Sequence, residues 1–304
     1  MAATATMTET PKPRTYPLFV HQLCRLLVHA APRFPKVWKL RHHLLNLESV
    51  RFPDRLVQTS LLRSAKIWVE PNDLIGRYIF YQGVWEGPTT KHFIEGLRPG
   101  DTVLDVGANI GQYSVLAGQK VGPQGQVFAV EPAALARDML QRNLDLNQLR
   151  NVTILPFAAW DSDTILYLSS GAAGNSGAAE VSCAAAPADS GAIAIPARQL
   201  GPALREAGCE RIDVIKIDIE GAELPALRGL EEFFVRQPPR SVYCELCGNQ
   251  NRFGKSAIDL LNFFDRFGYR PWVFSDDGLR PLNRDEIGPD TLVNLFLEQS
   301  GSHP

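Results

Sequence analysis

The chain has 304 residues, of which 45% are hydrophobic and 21% are charged. This length and composition allow a substantial hydrophobic core, in one large α/β domain with an extension or in two small domains. The formal net charge of -2 excludes the strongly basic balance that is typical of nucleic-acid-binding domains. We therefore expect a folded protein that does not bind nucleic acid.

Cysteine usage and the N-terminal residues indicate the compartment. The five cysteines are an odd number and are scattered along the chain, which argues against a disulfide framework and favours a reducing compartment. No signal peptide is visible, and the first apolar run is broken by His21 and Arg25, so it is too short and too charged to span a bilayer. These features predict a cytoplasmic protein.

The N-terminal part differs in composition from the rest of the chain. Residues 1–17 are rich in Ala, Thr and Pro, which predicts a disordered leader. Residues 18–70 are interpreted as a basic helical extension, because apolar positions recur with a helical period over 18–30. The remaining residues, 71–304, are predicted to form the main domain.

The basic character of this N-terminal part allows two interpretations. Eleven Lys or Arg lie between Lys12 and Lys66, against only Glu48 and Asp54. The favoured interpretation is a helical cap with a solvated basic face. The alternative is a basic amphipathic helix that meets an anionic membrane or a partner.

The main domain alternates segments with strand-like and helix-like patterns. This alternation predicts a mostly parallel, Rossmann-like sheet with helices on both faces. Two closing strands have no helix between them, which suggests an antiparallel edge hairpin and brings the sheet to seven strands. The predicted strands are 102–106, 126–130, 152–157, 211–219, 241–246, 271–274 and 291–297, and the predicted helices are 114–120, 134–147, 224–235 and 257–267.

One stretch of the main domain fits neither pattern. Residues 170–192 are dominated by Ala, Gly and Ser and have no periodic face. They are interpreted as a long loop that could include weak edge strands. Long loops are either functional or disordered, and both readings stay open here.

The strongest local motif is LDVGANIG, residues 104–111, between a predicted strand and a predicted helix. Gly107 lets the backbone turn sharply and approach a ligand, and Gly111 permits close packing where the helix begins. In open α/β sheets, ligands bind at the carboxyl ends of strands where the strand order reverses. Asn109 replaces the middle glycine of a dinucleotide motif, so we expect Asp105 to meet a cationic group, such as the ammonium or sulfonium of S-adenosylmethionine.

A carboxylate follows at the distance that a nucleoside-binding site requires. Glu131 ends the second predicted strand, twenty residues after Gly111. An acid in this position can accept hydrogen bonds from both hydroxyls of a ribose. A glycine-rich loop together with a strand-end acid is much more specific than the loop alone.

A second charged cluster, KIDIEGAE, closes the fourth predicted strand. Asp218 and Glu220 alternate on this strand and are expected to point the same way, with Lys216 on the same face to pair with one of them. The favoured interpretation is a pocket for the methionine end of the cofactor that also polarises an acceptor hydroxyl. The alternative is a helix N-terminus in which Glu220 and Glu223 are favoured by the helix dipole.

Taken together, the segments DVGANIG, VEP, KIDIEGAE and VYCEL resemble the FkbM-type methyltransferase family, over roughly residues 75–298. The lead-in Gly83-Val84-Trp85-Glu86 resembles the entry motif of that family. The resemblance implies a class I methyltransferase fold, S-adenosylmethionine as the methyl donor and O-methylation of sugar or polyketide hydroxyls. A seven-stranded sheet with an antiparallel closing pair is consistent with that fold class.

The resemblance also implies roles for individual residues. Asp218 would lie near the transferred methyl group, and Asp218 or Glu220 is our hypothesis for the base that takes the hydroxyl proton, with Lys216 beside them. The residues implied to bind the cofactor are Glu86, Asp105, Gly107, Ala108, Asn109, Gly111, Glu131, Ala158 and Asp218.

Two departures from the family pattern concern the acceptor. Where the family often has Thr-Leu-Asp, residues 197–201 read ARQLG and lack the acid. Where it often has Glu-x-His, the chain has Glu245-Leu246-Cys247. The acceptor is therefore expected to be a sugar, a glycolipid or polysaccharide, or another small natural product, without a choice among them.

Competing readings remain. Cys244 and Cys247 form a C-x-x-C, but no further ligands have metal-site spacing and the six histidines form no cluster, so no metal is predicted. A nicotinamide-dependent oxidoreductase on a Rossmann sheet is the runner-up, disfavoured by the missing glycine and the closing strand pair. A non-catalytic cofactor-binding module is the third reading, disfavoured by the intact motifs.

Overall fold

The computed structural model describes residues 14–30, 43–46, 50–169, 175–183, 191–247, 253–275, 278–288 and 291–300. The described helices are α1 (Leu18–Ala30), α2 (Leu74–Gln82), α3 (Gly87–Gly96), α4 (Gln112–Val121), α5 (Ala134–Leu146), α6 (Leu200–Glu206), α7 (Glu223–Gly229), α8 (Glu231–Arg236) and α9 (Ala257–Arg266). The described strands are β1 (Arg14–Thr15), β2 (Val50–Arg51), β3 (Val57–Leu61), β4 (Ala65–Val69), β5 (Thr102–Val106), β6 (Gln126–Val130), β7 (Val152–Leu155), β8 (Ala158–Trp160), β9 (Thr164–Ser169), β10 (Glu180–Ser182), β11 (Ile193–Gln199), β12 (Val214–Ile217), β13 (Ser241–Cys247), β14 (Tyr269–Ser275), β15 (Gly278–Pro281) and β16 (Leu292–Gln299).

The largest sheet has the strand order β15-β14-β16-β13-β12-β5-β6-β7. The five strands from β13 to β7 are parallel, and β16 lies antiparallel between β13 and β14. The antiparallel closing pair is therefore confirmed. The predicted count of seven is wrong, because β15 folds back on β14 and adds an eighth strand at the edge.

The helical character predicted for residues 18–70 holds only in part. Helix α1 lies where the apolar period places it, but β3 and β4 form an antiparallel hairpin instead of a helix. Their buried positions alternate along each strand, which is the period of a half-buried sheet. The side chain of Asn143 on α5 bonds both the N–H and the carbonyl of Trp68, and this fixes the hairpin against the main domain.

The predicted disordered leader also needs correction at its end. Residues 1–13 lie outside the described residues. Arg14–Thr15 form β1, which pairs in parallel with β2, so these two residues are ordered by backbone hydrogen bonds from a segment about 35 positions later. That pairing has no signal in the local composition.

A second, four-stranded sheet has the order β10-β9-β11-β8. It was not predicted, because β8 and β10 have only three residues each and because apolar residues of β9 and β11, Ile165 and Ile193, are exposed. Within the stretch interpreted as a loop, β10 pairs with β9 as an edge strand, in agreement with the weak edge strands considered above. Residues 170–174 and 184–190 of that stretch lie outside the described residues.

The helix predicted over 224–235 is two helices, α7 and α8, that meet at Leu230. At the last residue of α7, Gly229, the backbone packs against β8. A Cβ at Gly229 would lie 2.0 Å from the carbonyl oxygen of Trp160. In the part of the chain that the structure describes, no helix combines the length and the hydropathy needed to cross a bilayer.

Candidate active site

A cleft of about 810 Å³ opens at the carboxyl ends of β5, β6 and β12. The chain runs from β5 outward to β7 on one side and from β12 to β13 on the other, so the strand order reverses between β5 and β12. This is where open α/β sheets bind their ligands, and the volume is within the range of about 300–1,000 Å³ of small-molecule sites. The cleft therefore lies at the edge that the sequence motifs predicted.

The floor of the cleft depends on Gly107. Its φ is +83°, and a Cβ there would lie 2.0 Å from the carbonyl oxygen of Asp218. Only glycine permits the turn after β5 to touch the turn after β12 in this way. Gly111 shows the predicted close packing as well, because a Cβ there would lie 2.4 Å from Cδ1 of Leu140 on α5.

Glu131 lies at the end of β6 and faces the cleft. Its Oε2 accepts a hydrogen bond of 2.9 Å from the backbone N–H of Asn109, and its Oε1 accepts one of 2.8 Å from Ala133. Burial raises the pKa of Glu131, and these two hydrogen bonds oppose the rise. The carboxylate is thus fixed by the backbone while each oxygen keeps a lone pair for a ligand.

Asn109 is the strained residue of this loop. Its φ of +48° lies in the left-handed region, which is uncommon for a residue other than glycine. Its buried Oδ1 has no hydrogen-bond partner within the described part of the chain. Strain and an unsatisfied acceptor at one residue are typical of a ligand site.

Asp105 lies behind the wall of the cleft. It is only 2% exposed, and its Oδ2 accepts a hydrogen bond of 2.5 Å from the Ser114 hydroxyl. Burial raises its pKa to about 6. The expected contact of Asp105 with a cationic group of the ligand is therefore not found in this geometry, because the side chain points into α4.

Lys216 and Asp218 form the ion pair that the sequence predicted. Lys216 Nζ lies 2.9 Å from Oδ2 of Asp218 and 3.9 Å from Oε2 of Glu86. The lysine is almost completely buried, and its pKa is raised because the two carboxylates outweigh the burial that would otherwise lower it. Asp218 borders the cleft, whereas Lys216 lies behind it.

Glu86, at the start of α3, connects this helix to α4 and β16 behind the cleft. It accepts hydrogen bonds of 2.8 Å from the Tyr113 hydroxyl on α4 and of 2.7 Å from the Asn294 amide on β16. Its φ of +50° places it in the left-handed region. Sequence reasoning missed Tyr113 and Asn294, because no local motif links Glu86 to a residue 208 positions away.

The sequence predicted that Glu220 lies on a strand, and this prediction is wrong. β12 ends at Ile217, and Glu220 occupies a turn with φ of +54°. The strand stops because Asp218 meets the Gly107 loop and α7 begins at Glu223. Asp218 and Glu220 nevertheless both line the cleft.

The Glu223 carboxylate stabilises the turn that contains Glu220. It is fully buried, and its Oε1 accepts hydrogen bonds of 3.0 Å from Ile219 N–H and 3.2 Å from Gly221 N–H. Burial raises the pKa of Glu223 to about 7. Glu223 begins helix α7, as the alternative interpretation proposed, and its carboxylate also accepts hydrogen bonds from the turn that borders the cleft.

Glu245 completes a group of carboxylates. One oxygen each of Glu86, Asp218 and Glu245 lie within 4.8 Å of one another, which is metal-ligand spacing. The Lys216 ammonium already lies 2.9 Å from Asp218 and supplies a positive charge there. Burial and the nearby carboxylates raise the pKa of Glu245 to about 9. The unusual Glu245-Leu246-Cys247 segment was the sequence signal for this position.

The structure divides the predicted site residues into two layers. One layer lines the cleft, and the other lies behind it and holds the first in place. Gly107, Asn109, Glu131, Ala158, Asp218 and Glu220 are in the first layer, and Glu86, Asp105, Ala108, Gly111 and Lys216 are in the second. Of the C-x-x-C, Cys244 is buried in the core, and the side chain of Cys247 lies outside the described atoms.

A family model described as the methyltransferase FkbM domain matches residues 105–271. The match begins at Asp105 and includes Glu131 and the KIDIEGAE segment, and it covers more than half of the chain. The chain belongs to the FkbM methyltransferase family. The resemblance drawn from its motifs is thereby confirmed.

Two curated proteins are similar to this chain in sequence. Methyltransferase sdnD from Sordaria araneosa is 34% identical over 166 residues, which are 46% of this chain and 64% of that protein. AMB antimetabolite synthetase AmbE from Pseudomonas aeruginosa is 29% identical over 225 residues, 62% of this chain and 10% of that protein. The chain thus spans less than two thirds of the length of either relative.

Solved structures of methyltransferases are similar at lower identity. TYW2 from M. jannaschii in complex with AdoMet has a TM-score of 0.44 at 11% identity, covering 83% of this chain and 90% of that one. A SAM-dependent O-methyltransferase from Thermotoga maritima has a TM-score of 0.39 at 15% identity, covering 83% of this chain and 80% of that one.

Proposed function

We propose that this FkbM family member is an S-adenosylmethionine-dependent O-methyltransferase that acts on a hydroxyl of a sugar, a glycolipid or polysaccharide, or another natural product. The observation that carries the proposal is the Glu131 carboxylate, fixed by two backbone N–H groups at the edge of the cleft. Asp218 borders the same cleft, so one ligand can meet a ribose-binding acid and a reaction-side acid together.

The described residues fit the cofactor. Glu131 would accept the ribose hydroxyls through its remaining lone pairs, and Asn109 offers an unsatisfied buried acceptor beside it. The glycine at 107 keeps the cleft floor clear of a side chain, and Ala158 contributes a small apolar wall. Asp218 and Glu220 place negative charge where a cationic methionine end would lie.

The chain's contribution to methyl transfer is chiefly positional. When bound, S-adenosylmethionine supplies an electrophilic methyl group on a sulfonium that is already a good leaving group. The walls of the cleft would orient the acceptor toward that methyl group, because holding two reactants in a fixed arrangement lowers the entropic cost of the reaction. Two rigid turns in contact, at Gly107 and Asp218, provide such a fixed edge.

An alcohol must also lose its proton as the new bond forms. Asp218 is the proposed base, because it borders the cleft and its carboxylate is oriented by the Lys216 ammonium at 2.9 Å. Glu220 lines the same wall and is the second candidate. Glu245, whose oxygen lies within 4.8 Å of an Asp218 oxygen, lies beside the proposed base, and burial and the nearby carboxylates raise its pKa.

The cofactor is tested by calorimetric titration with S-adenosylhomocysteine. We expect wild type to bind and Glu131→Ala to lose at least about tenfold in affinity, with Glu131→Gln intermediate because an amide keeps one acceptor oxygen. NAD is the matched ligand for the oxidoreductase alternative. Binding of NAD and not of S-adenosylhomocysteine by wild type would overturn the proposal.

Acceptor chemistry is tested by release of S-adenosylhomocysteine with a panel of sugars, glycolipids and polyols. Asp218→Asn should bind the cofactor more weakly, because it removes negative charge from the cleft, and at saturating cofactor it should lose about 10²- to 10⁴-fold in turnover. Full turnover in Asp218→Asn would remove that residue from the role of base and turn attention to Glu220. Tight cofactor binding with no turnover on any hydroxyl would favour the non-catalytic module.

A further inference from the structure

Helix α1 carries an apolar face that no described part of the chain covers. Phe19, Leu23, Leu26 and Leu27 are 68, 58, 65 and 48% exposed, and their spacing of three and four residues places them along one side of the helix. Single exposed apolar residues are ordinary, but four large ones in a row mark an interaction surface. We call these four residues the α1 stripe.

The opposite face of α1 is firmly anchored, so the stripe is presented by a folded element. His21 is buried, stacks on Phe52 at 3.6 Å between ring centroids and lies 2.6 Å from the Tyr81 hydroxyl on α2. Arg25 donates a hydrogen bond of 2.6 Å to Thr59 on β3 and lies 5.4 Å from the Phe80 ring centroid. The helix cannot roll to bury the stripe without breaking these contacts.

The charge around the stripe selects the partner. Within residues 14–30, 43–46 and 50–66, six Lys or Arg stand against one acid, Asp54, and α1 itself has no acidic residue. Arg51 is exposed on β2, which pairs with the strand immediately before α1. An apolar stripe on a basic N-terminal segment, with the exposed Arg51 on the strand pair that leads into α1, is complementary to an anionic lipid surface, where acyl chains contact the apolar residues and head groups contact the cations.

Two further observations favour a lipid surface over a second copy of the chain. Two copies meeting through α1 would bring together two N-terminal segments that are both basic, each with an exposed Arg51. Four side chains also fall well short of the roughly 800 Å² per partner that a stable protein interface buries. A helix of 13 residues is too short to span a bilayer but suits an in-plane position.

From these observations we infer that α1 docks the protein in the plane of an anionic membrane surface. The docking reaches the cleft through α2, since α1 packs on α2 and the start of α2, at Asp73 and Gly76, lines the cleft. The inference is independent of which acceptor is methylated. It replaces the preference for a cap with a solvated basic face, because the α1 face that stays exposed among the described residues is apolar.

The test is co-sedimentation of the full chain with phosphatidylcholine vesicles, with and without phosphatidylglycerol. We expect binding to the anionic vesicles that weakens at high salt, and much weaker binding to the neutral ones. The double variant Leu23→Gln/Leu26→Gln should bind anionic vesicles at least about tenfold more weakly. Arg51→Gln should weaken binding about fivefold, and only to the anionic vesicles.

The matched control is Ile165→Gln/Val235→Gln, which removes two apolar side chains of 54 and 69% exposure elsewhere on the surface. It should bind vesicles like wild type, and thermal unfolding of both double variants should show that each is folded. Equal vesicle binding by Leu23→Gln/Leu26→Gln and wild type, or no binding of wild type to anionic vesicles, would overturn the inference. A wild-type dimer in light scattering that the double variant loses would assign the stripe to a second copy instead.

Discussion

Gly107 and Asp218 are in direct backbone contact: a Cβ on Gly107 would lie 2.0 Å from the Asp218 carbonyl oxygen. The first residue belongs to the turn after β5 and the second to the turn after β12, which are neighbours at the centre of the sheet. This contact joins the cofactor side of the proposed site to its reaction side. Its integrity should govern both stability and ligand affinity.

Gly107→Ala is expected to destabilise the fold by several kcal/mol, because the methyl group must displace the Asp218 backbone as well as adopt a left-handed conformation. Gly100 is the matched control, with the same φ of +83° and no atom within 4 Å of a Cβ. Gly100→Ala should cost only about 1 kcal/mol, the conformational cost by itself. Denaturant unfolding of both variants measures the difference, and equal losses would show that the backbone contact is unimportant.

Lys216→Met should destabilise the protein by about 3–5 kcal/mol, since it removes the buried cation beside Asp218 and Glu86 and leaves their charges uncompensated. The control is Lys91→Met, which breaks an exposed pair with Glu95 at 3.8 Å and should cost no more than about 0.5 kcal/mol. Urea denaturation near neutral pH compares them. A loss at Lys216 no larger than the one at Lys91 would contradict the ion-pair assignment.

Glu223→Gln should change how stability depends on pH. The folded pKa of about 7 is above the ordinary 4.5, so the native state binds the extra proton between these values and wild type loses stability as pH rises through that window. The glutamine variant lacks this loss. Its free energy of unfolding relative to wild type should therefore increase from pH 5 to pH 7, by up to about 1.4 kcal/mol per pH unit.

Asp105, with its raised pKa of about 6, titrates in both proteins, so its effect cancels in the comparison, whereas removing the Glu223 charge also lowers the pKa of Glu245. The amide oxygen can still accept from Ile219 and Gly221, so the turn should stay in place. A stability difference that is constant from pH 5 to pH 7 would mean that Glu223 is ionised throughout.

Asn143→Ala tests whether the β3–β4 hairpin is part of the main domain. The buried Asn143 side chain makes three hydrogen bonds, to the N–H and carbonyl of Trp68 and to the carbonyl of Ile110. Its removal should cost about 2–4 kcal/mol and expose the hairpin to proteolysis. Asn147→Ala, whose hydrogen bonds to Lys66 are exposed, should cost less than about 1 kcal/mol. If the hairpin became protease-sensitive with no loss of global stability, it would be a separate folding unit.

The amino-acid sequence was sufficient to predict the parallel part of the sheet and the edge at which the cleft lies. Strands such as β6, whose residues 127–130 are all apolar and buried, read as continuous apolar runs, and the motifs that follow the strands are local in sequence. Glycine at 107 and the acid at 131 follow directly from what a turn and a strand end can do. Family membership rests on the same local segments, which is why the resemblance could be found without a structure.

Contacts between residues that are far apart in sequence became visible only in the folded structure. Glu86 bonds Asn294 from 208 positions away, and the eighth strand, the second sheet and the β1–β2 pair depend on partners that no local period reveals. The burial of a charged residue and the exposure of an apolar one also depend on the fold. The sequence shows an acid at 105 and apolar residues along α1, but only packing determines that Asp105 is buried behind the cleft while the α1 stripe faces outward. Local patterns are fixed by the chain's own periodicity, whereas burial is fixed by which surfaces the fold brings together.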